Sequence, residues 1–225
     1  MPKTIVVTGS SKGIGRELAL QAAEKGHLVF ALSRNVTSLQ ATSGVIPLQV
    51  DLSDTKAVQQ AVNEIRATTD TIDVLINNAG ILLHKPFLET TSKDFHQVFE
   101  TNVFGLVSIT QALLPFMKVN SHVVNISSMG GIGGSSKFAG LSAYSSSKGA
   151  VSILTELLAE EFKATGPKFN ALALGAVQTE MLTQAFPEFK APVQANEMAD
   201  YILQFALEGH RYFNGKVLPV SSSTP

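Results

Sequence analysis

"TIVVTGSSKGIG", residues 4–15, runs from a short apolar segment through a glycine-rich turn into a helical pattern over about 13–25. An apolar run of this length bounded by glycine reads as a buried strand. Gly9 permits the sharp turn, Gly13 lets backbone approach a pyrophosphate, and Gly15 lets the helix pack closely on the sheet. Ser11 and Ile14 complete the turn, and the N–H groups of the helix start then face the phosphates. Because Lys12 precedes the second glycine, the P-loop spacing is absent.

Six further runs continue the pattern: LVFAL (28–32), VIPLQV (45–50), DVLIN (73–77), HVVNIS (122–127), FNALAL (169–174) and KVLPV (216–220). They rarely alternate polar with apolar, as expected of strands covered on both faces in a parallel sheet. Helical patterns lie between most of them, at about 54–68, 92–118, 142–165 and 195–208. The link between the second and third runs is short enough to leave a turn or two of helix at most. Strand alternating with helix predicts a doubly wound α/β fold in a single domain, 1–225. Unusual residues gather after the strands: Gly9 to Gly15, Ser33 and Arg34, Asp51 and Leu52, Asn77 to Gly80, Ser127 and Ser128, Gly175 to Thr179. In an open parallel sheet the carboxyl edge is where ligands bind, so these residues should converge on one crevice.

The totals fit this reading. A chain of 225 residues, 44% hydrophobic, with 17 basic and 18 acidic side chains, supports one substantial core. Scattered charge gives no footprint for nucleic acid, and no apolar stretch is long enough to span a membrane. Without cysteine there is no disulfide or thiolate chemistry. The start carries no apolar signal region, so a cytoplasmic location is expected. The five histidines show no metal-ligand spacing, and a metal-free site is expected.

A dinucleotide site usually carries an acidic residue after the second strand, to hold the ribose 2′-hydroxyl. Here the place reads Ser33, Arg34, and Lys12 in the glycine turn adds a second cation. A guanidinium in place of a carboxylate suits a 2′-phosphate, which predicts NADP(H) over NAD(H).

Taken in order, TGSSKGIG (8–15), Asp51, NNAG (77–80), TNVFG (101–105), NISS (125–128), YSSSK (144–148) and GAVQTEM (175–181) resemble the short-chain dehydrogenase/reductase family over nearly the whole chain. The resemblance implies a seven-stranded parallel Rossmann sheet and a nicotinamide-dependent oxidoreductase acting on carbonyl or alcohol groups. It implies that Asp51 and Leu52 meet the adenine and that Asn78, Ala79 and Gly80 wall the cofactor site, while Asn77 ties strands together. Val177 and Thr179 would hold the nicotinamide carboxamide. Tyr144 would be the general acid in carbonyl reduction, Lys148 would lower its pKa and hold the nicotinamide ribose, Ser128 would bond the substrate oxygen, and Asn102 would hold a water relaying protons towards Lys148. Ser127 competes with Ser128 for its place. Bringing a phenol from about 10 to about 7 takes roughly 4 kcal/mol, close to one unit charge at about 4 Å in a partly closed crevice. Burial alone raises a tyrosine, so the cation is expected to set the direction. Ser145, Ser146 and Ser147 read as small packing residues.

Two departures stand out. Leu174 occupies a place where the family pattern has proline, and Ser128 precedes Tyr144 by a longer span than usual, through glycine-rich MGGIGGSSKFAG. The segment at about 180–194 forms a compact lid, whose Met181, Leu182, Phe186 and Phe189 either line an apolar site or pack as core. The resemblance implies a homodimer through the helices 92–118 and 142–165. The expected activity is NADPH-dependent reduction of ketones or aldehydes, including apolar ones. The alternative, a sensor or scaffold that binds NADP(H) without turnover, has no need of Asn102, Ser128, Tyr144 and Lys148 together. A sugar-nucleotide epimerase fits poorly, for want of a substantial second domain.

Overall fold

A computed structural model describes residues 1–40 and 42–221. Seven parallel strands, β1 (Thr4–Thr8), β2 (Leu28–Ser33), β3 (Val45–Gln49), β4 (Ile72–Asn77), β5 (Met117–Ser128), β6 (Lys168–Leu174) and β9 (Lys216–Val220), form one sheet in the order β3-β2-β1-β4-β5-β6-β9. A separate two-stranded bridge joins β7 (Val177–Gln178) to β8 (Val193–Gln194). The helices are α1 (Gly13–Glu24), α2 (Thr55–Thr68), α3 (Ser92–Phe99), α4 (Gly105–Leu113), α5 (Ser142–Glu161), α6 (Glu180–Ala185) and α7 (Ala195–Glu208).

Strands whose central positions are almost all apolar serve two cores. Ile5, Val7, Val29 and Ala31 turn towards α1 and α7, where they meet Leu18, Ala22, Ile202 and Leu203. Their neighbours Val6, Phe30 and Leu32 turn the other way, to Val62 and Ile65 of α2 and Ile109 and Leu113 of α4. Side chains alternate faces along a strand, so a sheet covered twice needs this near-continuous apolar sequence. The link after β2 contains one short turn, Thr37–Leu39, in line with its length.

The helical pattern at 92–118 is interrupted. It divides into α3, a π-turn over Glu100–Phe104, and α4, and then a 3₁₀ turn containing Pro115 stops it before β5 begins at Met117. Proline lacks the N–H that a continuing helix needs. The π-turn carries Asn102, which is buried.

Strand order reverses between β1 and β4, where the chain first winds outward on one side and then on the other. At such a switch point the loops after the strands part and leave a crevice. Asn77 and Asn125 bind the sheet there: Asn77 Nδ2 donates to Thr110 Oγ1 at 3.0 Å and Asn125 Oδ1 at 2.9 Å, and Asn125 Nδ2 donates to Thr155 Oγ1 at 2.9 Å.

Candidate active site

The crevice is a cleft of about 690 Å³ along the carboxyl edge of the sheet, running from Arg34 past the glycine turn to Tyr144 and the lid helix α6. Of the residues assigned to catalysis or cofactor binding from the sequence, Gly15 and Asn102 do not line it; both are buried. The others do, including Ser11, Lys12, Ile14, Ser33, Asp51, Leu52, Ala79, Val177 and Thr179.

Glycine is required at the turn by contact as well as conformation. Gly9 and Gly13 have φ of +70° and +56°. A Cβ on Gly9 would stand 2.6 Å from Ala79 Cα, and one on Gly15 would stand 2.3 Å from the Gly9 carbonyl oxygen. Asn78 seals the junction, its Nδ2 donating to the carbonyls of Thr8 and Gly9 at 3.1 and 3.2 Å while Thr8 Oγ1 accepts from the N–H of Asn78 and Ala79. Lys12 is the N-cap of α1 and gives no side-chain cap, so the first N–H groups of that helix open onto the cleft.

After β2, Ser33 is buried and donates to the Asn35 carbonyl at 2.6 Å. Arg34 and Lys12 are exposed, and neither has an ion-pair partner among the described residues. Asp51 accepts from the N–H and hydroxyl of Ser53, and these bonds hold its carboxyl below the ordinary value.

Around α5 the chemistry concentrates. Lys148 is 5% exposed, and its Nζ donates to the Ile126 carbonyl at 2.8 Å and stands 5.8 Å from the centre of the Tyr144 ring. Tyr144 is half-buried at the cleft and hydrogen-bonds Ser128, which lies at the end of β5. Ser127 faces elsewhere: its hydroxyl donates to the Lys148 carbonyl at 2.9 Å and meets Ser152 Oγ at 3.0 Å. Geometry thus puts Ser128, not Ser127, beside the phenol.

Three observations bear on the roles that the resemblance implies. Burial pushes the Tyr144 phenol above its ordinary value, and the Ser128 hydroxyl opposes that shift. The ammonium is turned to Ile126, and its own burial holds it down at about 8. Asn102 spends its side chain on protein: Oδ1 accepts from Ile81 N–H at 2.8 Å, and Nδ2 donates to the Ile81 carbonyl and to Ser147 Oγ. Ser147, read as packing, donates to the Tyr144 carbonyl at 2.7 Å and so joins Asn102 to the tyrosine's own backbone. An acceptor three residues back on a helix is a signal for such a serine, but its second partner lies 45 positions away and cannot be read locally.

Thr179 is the N-cap of α6, accepting from Leu182 N–H at 3.2 Å. Behind it, Gln178 Nε2 donates to Thr183 and Gln178 Oε1 accepts from Ala191 N–H, tying the two ends of the lid to β7. Met181, Leu182, Phe186 and Phe189 line the cleft rather than a closed core. Leu174 is in register with Ser128 and Val220, and the next residue, Gly175, donates its N–H to the Val220 carbonyl.

A glycine turn feeding a helix, a Tyr–Lys pair on one helix face and a serine at the end of β5 share this one edge. The family described as short chain dehydrogenase matches residues 3–189. The chain belongs to the short chain dehydrogenase family. Among curated members, the short-chain dehydrogenase cctT of Talaromyces islandicus is 34% identical over 80% of this chain, which spans 64% of that protein's length. The NADPH-dependent pterin aldehyde reductase of Arabidopsis thaliana is 31% identical over 86% of this chain and 82% of its own. Among solved structures, a protein described as ribose-5-phosphate isomerase from Brucella melitensis 16M superposes with a TM-score of 0.88 at 30% identity, covering 99% of this chain and 91% of its own. ElxO with NADP bound gives 0.85 at 30% identity, covering 98% and 97%. The short chain dehydrogenase fold thus extends over β9 as well, beyond the residues the family match covers.

Proposed function

We propose that this short chain dehydrogenase is an NADPH-dependent reductase of ketones or aldehydes, running in reverse as an alcohol dehydrogenase. The observation that carries the reading is Lys148: a buried ammonium that donates, among the described residues, one hydrogen bond of its three, beside a phenol that faces the cleft. A buried charge so incompletely satisfied is costly unless a ligand completes it.

The residues present fit a dinucleotide. A Cβ at Gly80 would stand 3.3 Å from Asn102 Oδ1 and 3.5 Å from Lys148 Nζ, so glycine keeps open the space in front of the ammonium. The uncapped start of α1 suits the pyrophosphate, and the unpaired Lys12 and Arg34 suit a 2′-phosphate. Ser11, Gly13, Ile14, Asp51, Leu52, Asn78, Ala79, Val177 and Thr179 would complete the cradle. ElxO and the pterin aldehyde reductase, named with NADP and NADPH, support the same choice. The isomerase among the neighbours does not displace it, because moving a proton between adjacent sugar carbons requires no nucleotide cradle.

NADPH, when bound, supplies the hydride. Tyr144 donates its proton to the carbonyl oxygen, and its raised pKa keeps it in the donating form at neutral pH. Ser128 donates a hydrogen bond to the same oxygen. Lys148 stabilises the phenolate left behind and offers its spare donors to the ribose. Asn102 acts as a positioning residue, through Ile81 and Ser147.

A panel of carbonyl compounds followed by nicotinamide absorbance tests this. Tyr144→Phe should lose turnover by on the order of 10²-fold or more with NADPH binding retained. Undiminished turnover in the variant removes the acid assignment, and binding without turnover on any compound favours the sensor.

The homodimer belongs to the same reading. Phe104 beside α4, with Ile153 and Leu157 on α5, is exposed at 52%, 58% and 62%, an apolar surface that a second copy would cover. Sedimentation of a Leu157→Glu variant as a monomer is the expected outcome.

A further inference from the structure

We propose that the substrate is an uncharged ketone or aldehyde with an apolar body, and that the site discriminates against carbonyl compounds bearing a carboxylate or phosphate; this rests on the reductase reading above. Two segments carry the argument. Met129, Phe138 and Leu141 line the cleft from the stretch that joins Ser128 to Tyr144, and Leu182, Phe186 and Phe189 line it from the lid. The two groups that would meet the carbonyl oxygen are therefore flanked by apolar side chains in sequence and in space.

The walls are braced against each other. The His84 ring lies 4.6 Å from the Phe186 ring. It also packs against Gly140, at φ +81°, where a Cβ would stand 2.5 Å from His84 Cδ2. Lys85 N–H donates to the Gly140 carbonyl at 2.8 Å. One imidazole thus connects the lid to the loop that carries Phe138.

Charge is distributed against an anionic substrate. The basic side chains lining the cleft are Lys12, Arg34 and Lys148. The first two stand at the glycine turn and the end of β2, the place for a 2′-phosphate, and Lys148 is committed to Ile126 and the cofactor's ribose. An anionic substituent among Leu182, Phe186 and Phe189 would lose water against apolar walls, which is the costly way to bury charge.

Acetophenone and 4-acetylbenzoate form the test pair, alike in the reacting group and differing in one carboxylate. With NADPH, kcat/KM for the neutral ketone should exceed that for the acid by at least about tenfold, equivalent to about 1.4 kcal/mol. Leu182→Arg should narrow that ratio by favouring the acid. Calorimetry on the NADP⁺-loaded Tyr144→Phe protein, in which the reverse reaction is blocked, provides a readout independent of turnover: 1-phenylethanol should bind more tightly than 4-(1-hydroxyethyl)benzoate. Equal use of the two ketones, preference for the acid, or failure of the loaded protein to bind either alcohol overturns the proposal. Preferential binding of the neutral alcohol without turnover of any carbonyl compound leaves it standing and removes the reductase reading instead.

Discussion

Lys148 Nζ stands 5.8 Å from the centre of the Tyr144 ring and donates to one carbonyl oxygen, that of Ile126, from a position almost closed to solvent. Burial depresses the ammonium to about 8. The unfolded chain keeps that proton up to the ordinary lysine value, so between about pH 8 and 10.5 the unfolded state binds more protons and stability rises with pH. Below pH 8 the penalty on folding is fully present, at roughly 3 kcal/mol. Lys148→Met is therefore expected to stabilise the ligand-free protein at pH 7 while abolishing carbonyl reduction. Denaturant unfolding at pH 7 and pH 10 checks it, the gain being much smaller at the higher pH. A gain equal at both pH values would show that the buried charge is not its source.

Arg34 and Lys12 are exposed cations with no ion-pair partner among the described residues, at the end of the cleft where a 2′-phosphate would lie. Arg34→Ala is expected to weaken NADPH binding by about 10- to 100-fold, the range of one charge-assisted contact worth about 1.5–3 kcal/mol. NADH affinity should change little. Fluorescence titration with both cofactors measures the ratio, and an unaltered ratio contradicts the assignment.

The sheet was legible because its strands rarely alternate polar with apolar and because glycine, asparagine and serine punctuate their ends. The Ser127 and Ser128 alternatives could not be separated in the sequence, since adjacent strand residues differ only in the face they take. The structure separates them by partner, Lys148 carbonyl for one and Tyr144 for the other. Three things were out of reach for a common reason. The π-turn at Asn102, the bond from Asn102 to Ser147, and the direction of the Tyr144 shift all depend on packing between segments distant in the chain. Pattern and propensity report local preference, and here the tertiary contacts outweigh it.

The glycine-rich stretch after Ser128 owes its composition partly to α5. A Cβ on Gly131 would stand 2.7 Å from the Lys148 carbonyl carbon and 2.8 Å from Gly149 N, both backbone atoms that cannot give way cheaply. A Cβ on Gly133 meets nothing within 4 Å. Gly131→Ala should cost about 1–3 kcal/mol of stability and lower kcat, since the same displacement moves Ser128 relative to Tyr144. Gly133→Ala should be near neutral in both. Unfolding curves and steady-state rates for the two variants decide the matter, and equal behaviour would mean that the loop does not need close contact with the helix.

At the opposite end of the sheet His122 is fully buried between β5, β6 and α7, and its ring is specified in one protonation state. Nδ1 meets the Ala206 carbonyl at 2.9 Å and, facing an acceptor, must carry the proton. Nε2 meets Asn170 Nδ2 at 2.9 Å. That amide is oriented by donating to the Phe213 carbonyl and by Oδ1 accepting from Lys216 N–H, so Nε2 must be the acceptor. A second proton would point at the amide donor, and the His210 ring at 5.6 Å adds like charge when protonated. Burial accordingly holds His122 down at about 4. As pH falls through the ordinary histidine value, near 6.5, the unfolded chain takes up a proton that the folded one refuses until about 4. Stability is thus complete above about pH 6.5 and declines towards pH 4 by roughly 3 kcal/mol from this group. Between pH 7 and 4.5, His122→Gln, which keeps one donor and one acceptor without titrating, should lose less stability than the parent by about 2–3 kcal/mol. Urea unfolding at the two pH values measures the difference, and identical losses in parent and variant would remove His122 as the acid-sensitive element.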